Sequence, residues 1–141
     1  MRKIDELFGR YDESHRNRSN KIIHWICVPL IMWSVLAALW AWTPIAAYAL
    51  IALAVAFYVS ISLPIAIGML AVSALMVLTL MAIQERVLIA AAVVFIAAWI
   101  GQFIGHKIEG KKPSFLEDIT FLLIGPAWLL GFVYRRLGIA Y

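Results

Sequence analysis

Cysteine, histidine and charged residues are all scarce in this chain of 141 residues. The single cysteine, Cys27, excludes an internal disulfide. Charged residues make up 14% of the sequence, against about a quarter in soluble domains. The lysines and arginines lie at the ends of apolar runs, so the net charge of +4 does not indicate a nucleic-acid surface. With only three histidines, any site that uses imidazole has very few candidates.

Apolar residues, by contrast, make up 65% of the sequence. This composition predicts an integral membrane protein with a single domain, residues 1–141, in contact with the lipid bilayer. We expect an all-α fold, a polytopic membrane helical bundle of about five apolar segments preceded by a short amphipathic interfacial helix. The interfacial helix is predicted at residues 1–18, and the apolar helices at 22–42, 45–61, 65–83, 87–106 and 118–134. The second and third segments could form two full spans or one re-entrant hairpin.

The N-terminal segment carries an apolar stripe at helical spacing, and His15 continues that stripe by one more turn. Residues 16–20 are polar and interrupt the pattern. On one straight helix, His15 and His24 would face opposite directions, because they are nine positions apart. A turn at residues 16–20 would instead bring the two imidazoles together. The stripe consists of Ile4, Leu7, Phe8 and Tyr11.

All three histidines fall in two polar islands, residues 11–29 and 105–113. Four crossings between the islands would return both to the same side of the membrane. That side would hold nine of the twelve basic residues, which makes it cytoplasmic by the positive-inside rule. The membrane would be the bacterial inner membrane, or the ER membrane in a eukaryote. The other side would hold Arg86, Arg135 and Arg136.

The second island places a possible ligand set on one helix face, since Gln102, His106 and Glu109 follow i, i+4, i+7 spacing. With His15 and His24 this makes three imidazoles and a carboxylate. Such a set suits Fe(II), Zn(II) or Mn(II), and open positions favour oxygen chemistry at non-haem iron. Scattered interfacial histidines that only contact lipid headgroups are the alternative.

Three motifs resemble the membrane 2-hydroxy fatty acid dioxygenase family. The first is Tyr11-x3-His15-x4-Asn20-x3-His24-x4-Pro29, the second runs from Trp99 through Gln102 and His106 to Pro113, and the third is Gly125-Pro126. The chain departs from the family at Phe132, where an acidic residue is common.

This resemblance implies an Fe(II)-dependent enzyme of fatty acid α-oxidation. It would convert a long-chain 2-hydroxy fatty acid and O₂ to the fatty acid one carbon shorter. His15, His24 and His106 would hold the iron, and Glu109 would be a fourth ligand or a base. Hydrogen bonds that orient the imidazoles would come from Tyr11, Asn20 and Gln102. Lys111 or Lys112 would pair with the substrate carboxylate, although lysines at such positions more often contact lipid phosphates.

Three other classes of protein remain open at this stage. Facing histidines could be axial ligands of a haem or bind a quinone. The same ligands could hold Zn(II) in a hydrolase or transferase. A membrane scaffold or transporter would need none of these side chains. A protein of any of these classes, or the dioxygenase, could be an oligomer.

Overall fold

The computed structural model describes all 141 residues, and it is helical throughout, with no strands. This confirms the predicted all-α class. Two single turns of 3₁₀-helix, Gln84–Arg86 and Ser114–Leu116, join the later helices. The six α-helices are α1 (Lys3–Asp12), α2 (Arg18–Trp42), α3 (Pro44–Ile61), α4 (Leu63–Ile83), α5 (Val87–Glu109) and α6 (Phe121–Leu137).

Short polar side chains and prolines set the helix boundaries. The side chain of Asn17 caps α2 by accepting from the backbone N–H groups of Ser19 and Asn20, at 2.9 and 3.3 Å. Pro44 is the first residue of α3, where its missing N–H costs nothing. Gly110 ends α5 with a φ of 74°, a left-handed conformation that glycine adopts without strain.

Three helical stretches are long and apolar enough to cross a membrane: Arg18–Trp42, Pro44–Ile61 and Leu63–Glu109. The third has 47 residues, and as one straight helix it would measure about 70 Å, more than twice the ~30 Å of a bilayer core. The chain instead reverses at Gln84, whose φ is 48°. The third stretch is therefore two helices, α4 and α5, that run in opposite directions.

Helices α2 to α5 alternate in direction, as their shared hydrophobic clusters show. We call the end where α2 and α4 begin and α3 and α5 finish the upper end, and the opposite end the lower end. The lower cluster joins the late part of α2 to the start of α3, the end of α4 and the start of α5. The larger upper cluster joins the early part of α2 to α1, α6, the end of α3 and the start of α4. The lower cluster consists of Leu36, Ala37, Ala47, Leu80, Val87 and Ala91.

Helix α6 lies across the upper end and does not form a fifth crossing. Near its start, the carbonyl of Leu123 accepts from the Tyr58 hydroxyl at 2.7 Å, one turn before α3 ends. Near its finish, the Tyr134 hydroxyl donates to the carbonyl of Pro64 at 2.8 Å, where α4 begins. Both ends of this 17-residue helix are thus at the same end of the bundle.

This position corrects the predicted sides of two arginines. Arg135 and Arg136, in the last turn of α6, lie at the upper end and not opposite the histidines. The C-terminal Tyr141 there contacts Arg2 and packs on Phe8 of α1. Eleven of the twelve basic residues therefore belong to the upper end, and only Arg86 belongs to the lower end.

Labelling of introduced cysteines tests this arrangement. In a Cys27→Ala background, Lys111→Cys and Arg136→Cys should react with an impermeant maleimide from the same side of sealed vesicles. Glu85→Cys should react only from the other side, because it lies in the turn at the lower end. All three positions are exposed. If Arg136→Cys reacted from the Glu85 side, α6 would cross the membrane and the structure of the upper end would be wrong.

The closest helix pair, α2 and α5, meets through two glycines spaced four residues apart. A Cβ on Gly101 would lie 2.5 Å from the Cys27 sulfur, and a Cβ on Gly105 would overlap the side-chain oxygen of Asn20. Small residues at this spacing let the backbones of two membrane helices approach closely. The two glycines therefore set the distance between the two helices that carry His24 and His106.

Replacing Gly105 by alanine should force α2 and α5 apart. We expect a loss of about 1–3 kcal/mol of stability from overpacking, seen as a lower melting temperature in detergent. Gly9→Ala in α1 is the matched control, because a Cβ there meets nothing within 4 Å. The control should be unchanged or slightly more stable, since alanine favours helix. Equal melting temperatures for the two variants would contradict the close contact.

Candidate metal centre

The structure brings all three histidines together at the upper end, from three separate elements. His15 follows α1, His24 lies in the second turn of α2, and His106 lies in the last turn of α5. The three side chains are buried, and one ring nitrogen of each lies within 4.8 Å of the other two. A turn does return the chain, but it lies at residues 13–17, between the end of α1 at Asp12 and the start of α2 at Arg18, and not at the predicted residues 16–20.

Two backbone carbonyls orient two of the rings in the same way. Nδ1 of His15 lies 2.6 Å from the carbonyl oxygen of Tyr11, and Nδ1 of His24 lies 2.9 Å from that of Asn20. A carbonyl can only accept, so both Nδ1 atoms carry the proton and donate. Each Nε2 is then left with a free lone pair. Fixing the tautomer by a hydrogen bond from the second nitrogen is the usual arrangement of metal-binding histidines.

Two ring nitrogens of the cluster, Nε2 of His15 and Nδ1 of His106, are buried without a hydrogen-bond partner. Nε2 of His24 lies 3.2 Å from Nε2 of His106. Buried polar atoms are nearly always paired, so unpaired ones indicate a bound group. A cation held by one nitrogen of each ring would take the free lone pair of His15 and replace the contact between His24 and His106, so the residues fit a divalent metal ion.

Burial also keeps His15 uncharged. Loss of water contact lowers the pKa of His15 to about 4, against the opposing effects of the Tyr11 carbonyl and the Glu109 carboxylate. Its ordinary pKa, which applies in the unfolded chain, is near 6.5. Between about pH 6.5 and pH 4 the unfolded chain therefore binds the proton more readily than the folded protein, so the free energy of unfolding decreases as the pH falls through this range. At neutral pH the ring is neutral, which is the form that binds a metal.

Tyr11 and Asn20, two of the predicted orienting residues, contact the histidines through their backbone carbonyls. The Tyr11 ring stacks on that of His15, with centroids 4.0 Å apart and an angle of 11° between the planes. Asn20 is fully buried, and its Nδ2 donates to the Ser14 carbonyl at 3.2 Å. Gln102, the third predicted orienting residue, makes no hydrogen bond to a histidine.

Glu109, predicted to be a fourth ligand or a base, lies outside the cluster of ring nitrogens. One carboxylate oxygen accepts from the N–H of Arg16 at 3.0 Å, and the other from the N–H of Asn17 at 2.8 Å. The second oxygen also accepts from Nδ2 of Asn20 at 3.0 Å. Glu109 therefore ties the loop before α2 to the end of α5.

The structure places Lys111 and Lys112, which are predicted to bind a substrate carboxylate, at the surface. Both side chains are exposed, and neither lines the cavity beside the histidines. Two serines close to the histidines, Ser14 and Ser114, were not predicted as site residues from the sequence. The two hydroxyls lie 2.5 Å apart, and that of Ser14 is 3.1 Å from Nδ1 of His15. The only available signal was their position, within or directly beside the two polar islands.

A cavity of about 610 Å³ opens from the histidines into the helical bundle, a volume typical of small-molecule sites. Its wall is mostly hydrophobic and reaches Leu36 of α2, twelve positions after His24. That separation is about 18 Å along the helix axis, more than half the thickness of a bilayer core. The deep part is lined by Ile31, Met32, Val35, Leu36, Leu50, Ile51, Ala54 and Val55.

The family model described as 2-hydroxy-palmitic acid dioxygenase Mpo1-like matches residues 1–137 of the chain. The protein belongs to the Mpo1-like family. The match includes all three histidines and the whole cavity wall, and it confirms the resemblance seen in the sequence motifs. No curated protein and no solved structure matches the Mpo1-like chain.

Removing the carboxylate of Glu109 should destabilise the protein. In Glu109→Ala, the buried Nδ2 group of Asn20 loses one of its two acceptors, and two backbone N–H groups lose their only side-chain partner. We expect a loss of about 1–3 kcal/mol, measured by thermal unfolding in detergent. Lys112→Ala, at an exposed position nearby, should unfold like the wild type. Unchanged unfolding of Glu109→Ala would contradict its role in holding the loop.

Proposed function

We propose that this protein is a membrane dioxygenase that shortens long-chain 2-hydroxy fatty acids by one carbon. One molecule each of 2-hydroxy acid and O₂ would give the shorter acid, CO₂ and water. The bond between C1 and C2 breaks, C2 is oxidised to the new carboxyl group, and O₂ accepts the four electrons released. The observation that supports this most directly is a trio of buried histidines at the mouth of a long apolar cavity.

His15, His24 and His106 are the proposed ligands. Three neutral nitrogen donors without a thiolate suit Fe(II), which when bound would offer open coordination positions to a hydroxy acid and to O₂. The carbonyls of Tyr11 and Asn20 hold two of the imidazoles in the ligating tautomer. The stacked ring of Tyr11 covers one face of His15 and keeps water from it.

The cavity provides the part of the site that recognises the acyl chain. Its wall is predominantly apolar from Val28 down to Leu36. Burying each CH₂ group of a ligand is worth about 0.8 kcal/mol, so a long chain would bind far better than a short one. A head group held at the histidines and a tail directed between the helices match the amphipathic shape of a 2-hydroxy fatty acid.

The site would face the cytoplasm. Eleven of the twelve basic residues lie at the upper end with the histidines, and positively charged segments are retained on the cytoplasmic side. A fatty acid from that leaflet could present its carboxylate at this surface while its chain stays in the apolar region.

A zinc enzyme is the second candidate function. Three histidines with an open fourth position are also the ligand set of catalytic Zn(II) sites. Zinc has no redox chemistry, so a zinc enzyme could not use O₂ as the oxidant. The name of the matched family favours the dioxygenase.

Reconstituted protein should consume O₂ with a long-chain 2-hydroxy acid and release the acid one carbon shorter. The protein would be loaded with Fe(II) anaerobically in nanodiscs, and the products identified by mass spectrometry. Omitting O₂ or replacing His106 by alanine should abolish the product. Lys111→Ala should retain activity, because that side chain is exposed and away from the cavity.

The fatty acid without the hydroxyl group is the substrate control, and Zn(II)-loaded protein is the metal control. Neither should give product. Iron-loaded protein that left 2-hydroxy acids of several lengths unchanged would contradict the proposed reaction, and equal turnover with zinc would exclude iron oxygen chemistry.

A further inference from the structure

One polar side chain close to the histidines in the cavity has no partner within the protein. Gln102 lies on α5 one helical turn before His106, and it lines the cavity. Its side chain is only 8% exposed, and its amide makes no hydrogen bond to another residue. The side-chain oxygen is buried without any partner. Burying an amide in apolar surroundings is costly unless a bound molecule completes its hydrogen bonds.

The position of Gln102 limits which part of a ligand it can meet. Gln102 lies deeper in the helical bundle than the histidines, where the apolar wall of the cavity begins. A fatty acid with its carboxyl group at the histidines would therefore pass Gln102 with its first carbons. A plain acyl chain has only CH₂ groups there and would leave the amide unpaired.

We infer that Gln102 binds the 2-hydroxyl group of the substrate and thereby selects 2-hydroxy acids over unsubstituted ones. This inference rests on the proposed function. A hydroxyl group both donates and accepts, and an amide can do the same in return. Sites with a buried group that needs a substrate hydroxyl reject the analogue without it by large factors, because the group is then left unpaired.

Trp99 carries another unpaired polar atom on this helix, and it does not fit the same role. Its indole nitrogen is buried without a partner, and the ring also lines the cavity. An indole N–H can donate but not accept, so it cannot take the proton of a hydroxyl group. Trp99 also lies almost one turn further from His106 than Gln102 does. It is therefore the matched control on the same wall.

The test is a binding measurement on metal-free protein, which excludes any preference caused by chelation. Dissociation constants would be measured for 2-hydroxypalmitic acid and palmitic acid, by displacement of a fluorescent fatty acid in nanodiscs. Wild-type protein should prefer the hydroxy acid. Gln102→Leu should lose about tenfold of that preference, as expected for one buried hydrogen bond. Trp99→Phe should keep the wild-type preference, because it removes only the more distant N–H group.

Gln102→Met, with an unbranched side chain of similar length, repeats the test if the leucine variant does not fold. An unchanged preference in the folded variant would overturn the inference, as would a wild-type protein without any preference. Both results would leave the proposed reaction standing. Failure of the wild type to bind either acid would contradict the proposed function itself. Loss of the preference in Trp99→Phe as well would also overturn the assignment to Gln102.

Discussion

The close approach of α2 and α5 is the constraint on which the rest of the structure depends. Gly101 and Gly105 leave room for Cys27 and Asn20 where larger residues would collide with them. That approach places the ring nitrogens of two histidines 3.2 Å apart although the residues are 82 positions apart in sequence. The same contact brings Glu109 to the loop before α2, which carries the third histidine into place.

Charge and apolar surface are separated along the bundle in a way that suits an amphipathic ligand. The upper end collects all basic residues but one, together with α1 and α6. The cavity begins there at polar groups and continues between apolar helices. A chain of 141 residues can build such a site because the bilayer replaces the outer layer of a soluble core.

Much of the fold followed from the sequence, because long apolar runs and polar breaks are strong local signals. The clustering of the histidines could also be predicted from the sequence, since an even number of crossings returns both polar islands to one end.

The direction of helix α6 was predicted wrongly because its apolar content is that of a span, while its direction depends on contacts of Tyr58 and Tyr134 with distant carbonyls. The contacts of Glu109 with the loop before α2 could not be predicted, because helix spacing gives its face but not its hydrogen-bond partners. The sequence analysis missed the packing role of Gly101 and Gly105, and the cavity could not be predicted because it depends on side-chain packing.

The metal content of purified protein tests the central claim, that the three histidines form one metal site, most directly. Protein loaded anaerobically with Fe(II) and freed of excess metal would be measured by inductively coupled plasma mass spectrometry. We expect a single bound ion per chain in the wild type and in Glu109→Gln. We expect loss of most of the metal in His15→Ala, His24→Ala and His106→Ala. Full occupancy in a variant that lacks all three histidines would show that they do not form the metal site.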